Sequence, residues 1–452
     1  MDDTGFHPRP RIHMRSARAI HSLPQRCGSV LIVVLWASIG LVSIALLFGH
    51  SMAMNYRGSD NDLAGRQADQ AIEGAIHYAE SLLVSEDVPG TFPDPASYEA
   101  EAMLVGEATF WFLGRPDVPG NGTTREFGLV DEASKLNLNA PWLTKDLLLL
   151  LPGMTADLAQ NILDWRKASG DSSDGGGGIN ASVVKHGPFE SIEELALVSG
   201  ATREILYGED ANLNGVLDAN EDDGERSLPK DNADGKLDPG ILEYVTAFTK
   251  EPTKDSDGND LPNIATREGI EQFLSKLPEW LPDRAVAIAQ ALGPQPQPQG
   301  SVLELIRRAG LTAEEAATIT KKVRGPFVEG LININTASQT VLSWVLGEDK
   351  ADAVIAAREN RTEQTSDMTW ALESLGQDGV RAAGMFLTGS SYQVSADVAA
   401  VGRHGRGYRR SRVVIDSSTG APRLIYRRNL APLGWALGRD IRQQLALKKD
   451  VR

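Results

Sequence analysis

Between Glu209 and Gly240 the chain places ten carboxylates, Glu209, Asp210, Asp218, Glu221, Asp222, Asp223, Glu225, Asp231, Asp234 and Asp238, against three cations, Arg226, Lys230 and Lys236. Carboxylates at this density repel one another unless a cation gathers them. Within the run, Asp210, Asn212, Asn214, Gly215 and Glu221 fit the twelve-residue loop D-x-[DN]-x-[DN]-G-x5-E in full. Such a loop would hold calcium (Ca2+) through Asp210, Asn212, Asn214, the Val216 carbonyl, Asp218 (directly or through water) and a bidentate Glu221, all hard oxygen donors. Gly215 permits the sharp turn, and Leu217 is expected to point inward and tie the loop to its domain. Asp231, Asp234 and Asp238 form a partial echo. With Gly235 in sixth place the first falls on Lys230, which cannot ligate, so these three are expected to share a second metal site with Glu243. Asp255, Asp257, Asn259 and Asp260 make a further acidic turn, with Gly258 too early for the same loop.

Catalytic chemistry finds no comparable support. The seven histidines are scattered: His7, His13 and His21 lie near the start, His50 abuts an apolar run, and no pair is spaced His-x-x-x-His. The run from Asp174 to Gly178 is glycine-rich but lacks the Lys and Thr of a phosphate-binding loop. The chain is therefore expected not to be an enzyme. A membrane-anchored, calcium-dependent hydrolase is the alternative from another class, and it would need a nucleophile or an acid/base pair in a cleft. A formal charge of −16 argues against a nucleic-acid partner, because phosphate binding rests on clustered Lys and Arg. The one cysteine, Cys27, leaves the rest of the chain without a disulfide or a thiolate metal site.

The elements that must position the acidic run read as helices framed by strands. Residues 108–113 and 126–130, and later 392–401, 409–415 and 423–426, are rich in aromatic and β-branched residues bounded by turns. Strands at both ends with helices between them imply an α+β head split by a large α-helical insertion. The segment Lys135-Leu136-Asn137-Leu138-Asn139-Ala140-Pro141 recurs as Leu331-Ile332-Asn333-Ile334-Asn335-Thr336-Ala337, an internal repeat. Each copy alternates apolar residues with Asn, then places Asn139 or Asn335 where a helix N-cap is expected. Helix hairpins follow, turning at Gly153, at Gly200 after a capping box from Ser191 to Glu194, at Gly310 and at Gly347. They resemble helix-hairpin-helix units. The second glycine of the DNA-gripping turn is replaced by Thr155 and Ala201, which points to a scaffold for protein contact.

At the N-terminus Arg9, Arg11, Arg15, Arg18 and Arg26 face only Asp2 and Asp3, and Ser29 to Phe48 then carries no charge. Twenty residues at about 1.5 Å each cross the roughly 30 Å hydrocarbon layer. The arginine excess puts the N-terminus in the cytoplasm and the bulk across the membrane. Ala64, Ala68, Ala71, Ile72, Ala75, Ile76, Ala79, Leu82 and Leu83 continue at helical spacing. One helix is expected from 29 to 84, bending at Gly58 or Gly65.

Arg26-Cys27-Gly28-Ser29, followed by Val30 to Trp36, resembles the prepilin cleavage region of the K-class minor pseudopilins of type II secretion. Val33 stands at the fifth mature position, where most pilin-like chains carry Glu and the K class also lacks it; Asp131-Glu132 before the first repeat copy is a further likeness. The resemblance implies a long transmembrane pilin helix, a pilin-like head with a helical insertion that binds calcium, and cutting between Gly28 and Ser29 by a prepilin peptidase. It also implies a single pass through the inner membrane with a periplasmic head. Its expected place is the tip of a pseudopilus that exports folded proteins, bound to other minor pseudopilins and to no nucleic acid. The corresponding division is a leader at 1–28, membrane and spine helix at 29–84, head at 85–140 and 381–435, insertion at 141–380, and a basic tail at 436–452. The alanine stripe, Ala71 and Ala75 above all, is expected to contact the partner pseudopilins. A helix-hairpin-helix DNA-uptake protein is the remaining alternative.

Overall fold

A computed structural model describes residues 27–85, 89–115, 125–167, 184–361 and 366–450. The leader at 1–26 and the glycine run at 174–178 lie outside the described residues. Helix α1 (Cys27–Ser85) opens the described chain as a single element of 59 residues. It is continuous through Gly58 and Gly65, and the Gly28–Ser29 junction falls in its first turn. The chain divides into two compact units, 1–60 and 61–452. In the first, every residue from 30 to 59 is exposed, and the apolar run to Phe48 is long enough to cross a membrane.

Among the described residues the second unit has ten strands: β1 (Met103–Val105), β2 (Ala108–Phe112), β3 (Val130–Asp131), β4 (Leu136–Asn137), β5 (Val245–Thr246), β6 (Ile332–Asn333), β7 (Leu387–Thr388), β8 (Gln393–Gly402), β9 (Arg406–Asp416) and β10 (Arg423–Asn429). Six form an antiparallel sheet in the order β1-β2-β8-β9-β10, with β3 also paired to β8. The central strand β8 is buried along its whole length. Period-two alternation sends its residues to two different surroundings. Val394, Ala396, Val398 and Ala400 join Phe110, Phe112, Val413 and Ile415 against α1, while Ala399 and Val401 pack on the other face with Trp111 and Leu437.

The alanine stripe of α1 is spent inside the chain. Ala64, Ala68, Ala71, Ala75 and Ala79 have no exposed surface and lie on the sheet, so Ala71 and Ala75 cannot be a contact for another chain as expected. Small side chains let the helix backbone sit close to the strands, and glycine completes the fit. A Cβ on Gly402 would stand 2.1 Å from the Ala64 carbonyl oxygen, and one on Gly407 2.3 Å from the Gly65 nitrogen.

The insertion carries helices α2 (Lys145–Leu148), α3 (Ala156–Arg166), α4 (Arg203–Tyr207), α5 (Arg267–Trp280), α6 (Ala285–Leu292), α7 (Val302–Ala309), α8 (Ala313–Thr320), α9 (Gln339–Leu346), α10 (Glu348–Glu359) and α11 (Ala371–Ala383). The repeated motif is a short strand ended by an asparagine turn: Asn137 Oδ1 accepts from the Asn139 N–H at 2.7 Å and Asn333 Oδ1 from Asn335 at 3.0 Å. A third copy, concealed in sequence, starts at Asn263, whose Oδ1 accepts from Ala265 at 3.1 Å. Each copy meets a later segment in parallel, β4 with β5, Asn263 with Arg324, and β6 with β7. Asn139 and Asn335 are not N-caps. Thr144 and Ser338 cap α2 and α9, while Asn139 reaches the Phe189 and Ala247 carbonyls and Asn335 that of Gly389. The expected capping box at Ser191 is also absent, since Ser191 makes no side-chain cap and Glu194 binds Lys185, Trp165 and the Glu190 N–H. Gly153, Gly200, Gly310 and Gly347, the four expected hairpin turns, all have positive φ.

Asp131 joins insertion to sheet. Its buried carboxylate accepts from Asn333 Nδ2 at 2.9 Å, Thr336 Oγ1 at 2.6 Å, Ser391 Oγ at 2.5 Å and the Ala133 N–H at 2.8 Å. Burial lifts its carboxyl to about 6 against the pull of these donors. The expected basic tail includes helix α12 (Gly438–Asp450), whose Ile441 packs on the sheet beside Trp111. Gly402→Ala should lower stability by about 1–3 kcal/mol, because the added methyl meets backbone instead of a movable side chain. Thermal unfolding of the full chain in detergent checks this, and an unchanged midpoint would contradict the close helix–sheet contact.

Candidate functional site: the acidic loop

The acidic run is an excursion between α4 and β5 whose two ends meet. Gly208 bridges Pro239, the Glu209 N–H donates to the Asp238 carbonyl at 2.9 Å, and the Gly240 N–H donates to Tyr207 at 3.0 Å. Residues 210–221 fold around the carboxylate of Asp210, which accepts from the N–H groups of Asn214 at 3.0 Å and Gly215 at 2.8 Å. Glu221 closes the turn from the other side, accepting from Ala211 at 3.1 Å and Asp218 at 2.9 Å. Asp218 Oδ2 receives the amide nitrogens of Asn212 at 2.8 Å and Asn214 at 3.0 Å. Gly215 and Leu213 take positive φ, 73° and 55°. Leu213 and Val216, only 3% and 6% exposed, tie the loop to the protein; the expected Leu217 is only half-buried.

Asp210 and Glu221 are each 1% exposed, and among the described residues neither is hydrogen-bonded by a basic side chain. Burial pushes the Glu221 carboxyl up to about 8, with the nearby charge of Asp210 adding to the shift. Burial also raises Asp210, against the pull of Arg115. A side-chain oxygen in the same turn, Asn212 Oδ1, is buried without a protein partner. Two desolvated acids and an orphaned amide oxygen are a donor set that suits a hard cation, which would neutralise the acids and occupy the oxygen. Among the described residues no three His, Cys, Asp or Glu side chains converge as a metal shell. A cation here would therefore draw on amide and carbonyl oxygens beside its carboxylates.

The other expected metal set is not brought together. Asp231 accepts from the N–H groups of Asp223, Gly224 and Ala233, Asp234 from that of Lys236, and Asp238 from Asn232 Nδ2. Glu243 lies apart, bonded by Arg115 Nε at 3.0 Å. In the turn at 255–260, Asp255 accepts from the N–H groups of Asp257 and Asn259, an asparagine-type turn that needs no ion.

Three residues with no signal in the sequence secure the loop: Arg115, Asp397 and Arg410. Asp397 on β8 is buried, and although burial opposes its charge, Arg410 and Arg412 outweigh it and hold its carboxyl well below the usual carboxylate range. Arg410 on β9 grips Asp397 with Nε at 2.8 Å and Nη2 at 2.7 Å. Its guanidinium also donates to the Leu213 carbonyl at 2.6 Å and to the Asn212 carbonyl. Arg115 Nη2 reaches the same Leu213 carbonyl at 2.8 Å. Such partners are far apart in sequence, and no local pattern announces them.

No family model and no curated protein matches this chain. Among solved structures it is similar to a chain in the crystal structure of the GspK-GspI-GspJ complex of the type 2 secretion system of enterotoxigenic Escherichia coli. Sequence identity is 10%, the TM-score is 0.39, and the match covers 86% of this chain and 99% of that one.

In chelator the loop should make stability depend on pH. A folded-state carboxyl held near 8, against about 4.3 when unfolded, binds its proton more tightly in the folded protein. Its contribution is present below the unfolded value and is lost as pH rises through about 8. Melting of the full chain in chelator should therefore fall between pH 5 and 9, more steeply than for Glu221→Gln; equal slopes would contradict a buried, protonated Glu221.

Proposed function

We propose that this chain is a minor pseudopilin, a non-enzymatic, single-pass component of a type II secretion pseudopilus. The observation that carries this reading is α1. One helix supplies an exposed apolar stretch long enough for a bilayer and, from Ala64 to Ala79, the small-residue stripe that an antiparallel sheet needs to fold around it. That is the layout of a pilin-type subunit, and the Arg26 to Ser29 junction supports it with a prepilin-like cleavage region. The prepilin peptidase would cut after Gly28, leaving Ser29 first, with the helix anchored in the inner membrane and the head in the periplasm. The insertion gives the tip position a steric reason, since a helical mass on the head leaves no room for a further subunit above it. Partners would be other minor pseudopilins. They would meet surfaces other than Ala71 and Ala75, which the head's own sheet covers.

Calcium in the 210–221 loop is a structural part of this proposal. Asp210, Asn212, Asn214, the Val216 carbonyl, Asp218 and Glu221 would hold it, and its charge would offset the repulsion within the acidic run. Binding only to the folded state adds RT ln(1 + [L]/Kd), on the order of 1.4 kcal/mol at ten-fold excess over Kd.

The test is export. Cells lacking this chain should fail to secrete folded proteins and should recover when the full chain is restored. The chain recovered from membranes should begin at Ser29 by mass spectrometry. Undiminished export, or an intact Met1 on functional protein, would overturn the assignment.

A further inference from the structure

Arg410 is the largest fully buried side chain among the described residues, and its place is unusual. It sits on β9, on the sheet face away from α1, and β-sheet register sets Ala399 opposite it and Asp397 opposite Arg412. Asp397 therefore lies between two arginines, taking the fork of Arg410 and an Nη2–H of Arg412 at 3.0 Å. A guanidinium out of water must find partners for its remaining N–H groups inside the protein. Arg410 finds them in the carbonyls of Asn212 and Leu213, in the middle of the 210–221 loop.

Those two carbonyls belong to the stretch whose side chains form the candidate cation shell. Leu213 adopts a left-handed φ of 55°, a strained conformation for a branched residue, which persists only where the surroundings fix it. Arg410 and Arg115 both bond its carbonyl, and the residues on either side, Asn212 and Asn214, present their amides to Asp218. Holding this backbone sets where the Asn212 and Asn214 oxygens stand. Only a planar fork can bond a carboxylate on one side and two adjacent carbonyls on the other, and an ammonium group has donors at a single point.

We infer that Arg410, assisted by Arg115, is a positioning residue for the calcium loop, and that filling the loop and securing the β8–β9 pair are coupled through it. This rests on the calcium reading of the loop. Coupling between two equilibria is reciprocal: a filled loop steadies the carbonyls that satisfy Arg410, and a secured Arg410 holds the loop in its cation-ready shape.

The experiment uses the full chain in detergent, calcium ion as the probe, calorimetry for Kd, and hydrogen exchange at the amides of β8 and β9. In the wild type, calcium should bind and should slow exchange in both strands. Arg410→Lys keeps a positive charge beside Asp397 but cannot span both carbonyls; it should weaken binding about 10–100-fold and abolish the effect of calcium on strand exchange. Arg115→Gln leaves the Arg410–Asp397 pair intact and should weaken binding by a smaller factor, so the coupling stays testable if Arg410→Lys does not fold. Wild-type calcium binding with no change in strand exchange, or wild-type affinity in Arg115→Gln and a folded Arg410→Lys, would overturn the coupling while leaving the calcium site standing. No calcium bound by the wild type would overturn the site itself, and the coupling with it.

Discussion

The ion pair between Asp397 and Arg410 is the constraint around which the head is arranged. Two charges withdrawn from water are costly unless every donor and acceptor is met, and breaking such a pair by removing one partner typically costs about 3–5 kcal/mol. The sheet alone cannot meet them. Strands β8 and β9 supply the pair and Arg412, but two of the N–H groups of Arg410 are met only by carbonyls from the acidic loop, nearly two hundred residues earlier in the chain. The loop thus completes the sheet's hydrogen bonding. An acidic excursion that would otherwise stand open in solvent is held where three arginines, Arg115, Arg410 and Arg412, gather on the face of the sheet away from α1.

The opposite face of β8 works by shape instead of charge. Valine and alanine on the strand, alanine on α1, and glycine at 402 and 407 bring helix and sheet backbones together, leaving no room for larger residues. A single wholly buried strand therefore has the alanine stripe of α1 on one side and the polar clamp on the other. Asp131 adds a third connection, from β3 to the second repeat copy and to the approach of β8. Buried polar contacts thus tie both the insertion and the loop to the sheet, so the insertion is built into the head and is no appendage.

Much of this was legible in the residues. The turn at Gly215 and the turns at Gly153, Gly200, Gly310 and Gly347 depend on local spacing, and all five glycines take positive φ. The strands around 108–112 and 393–402 announced themselves by β-branched and aromatic runs. Asparagine misled, because the same side chain that caps a helix also makes a turn with the residue two positions on, and Asn137 and Asn333 do the latter. The third repeat copy kept little more than Asn263-Ile264-Ala265, too short to stand out from its neighbours. The alanine stripe was ambiguous in principle: small residues favour close packing without saying whether the surface they pack on belongs to the same chain. Arg410 was invisible, since Arg403, Arg406, Arg409 and Arg412 surround it in sequence and nothing there hints that it alone is fully buried.

The most direct measurement is a crystal structure of the full chain grown with terbium in place of calcium, read by anomalous scattering. The predicted result is a single strong peak enclosed by Asp210, Asn212, Asn214, Asp218 and Glu221, with Arg410 still bonded to the carbonyls of Asn212 and Leu213. An empty 210–221 loop, or a peak confined to the turn at 255–260, would contradict it.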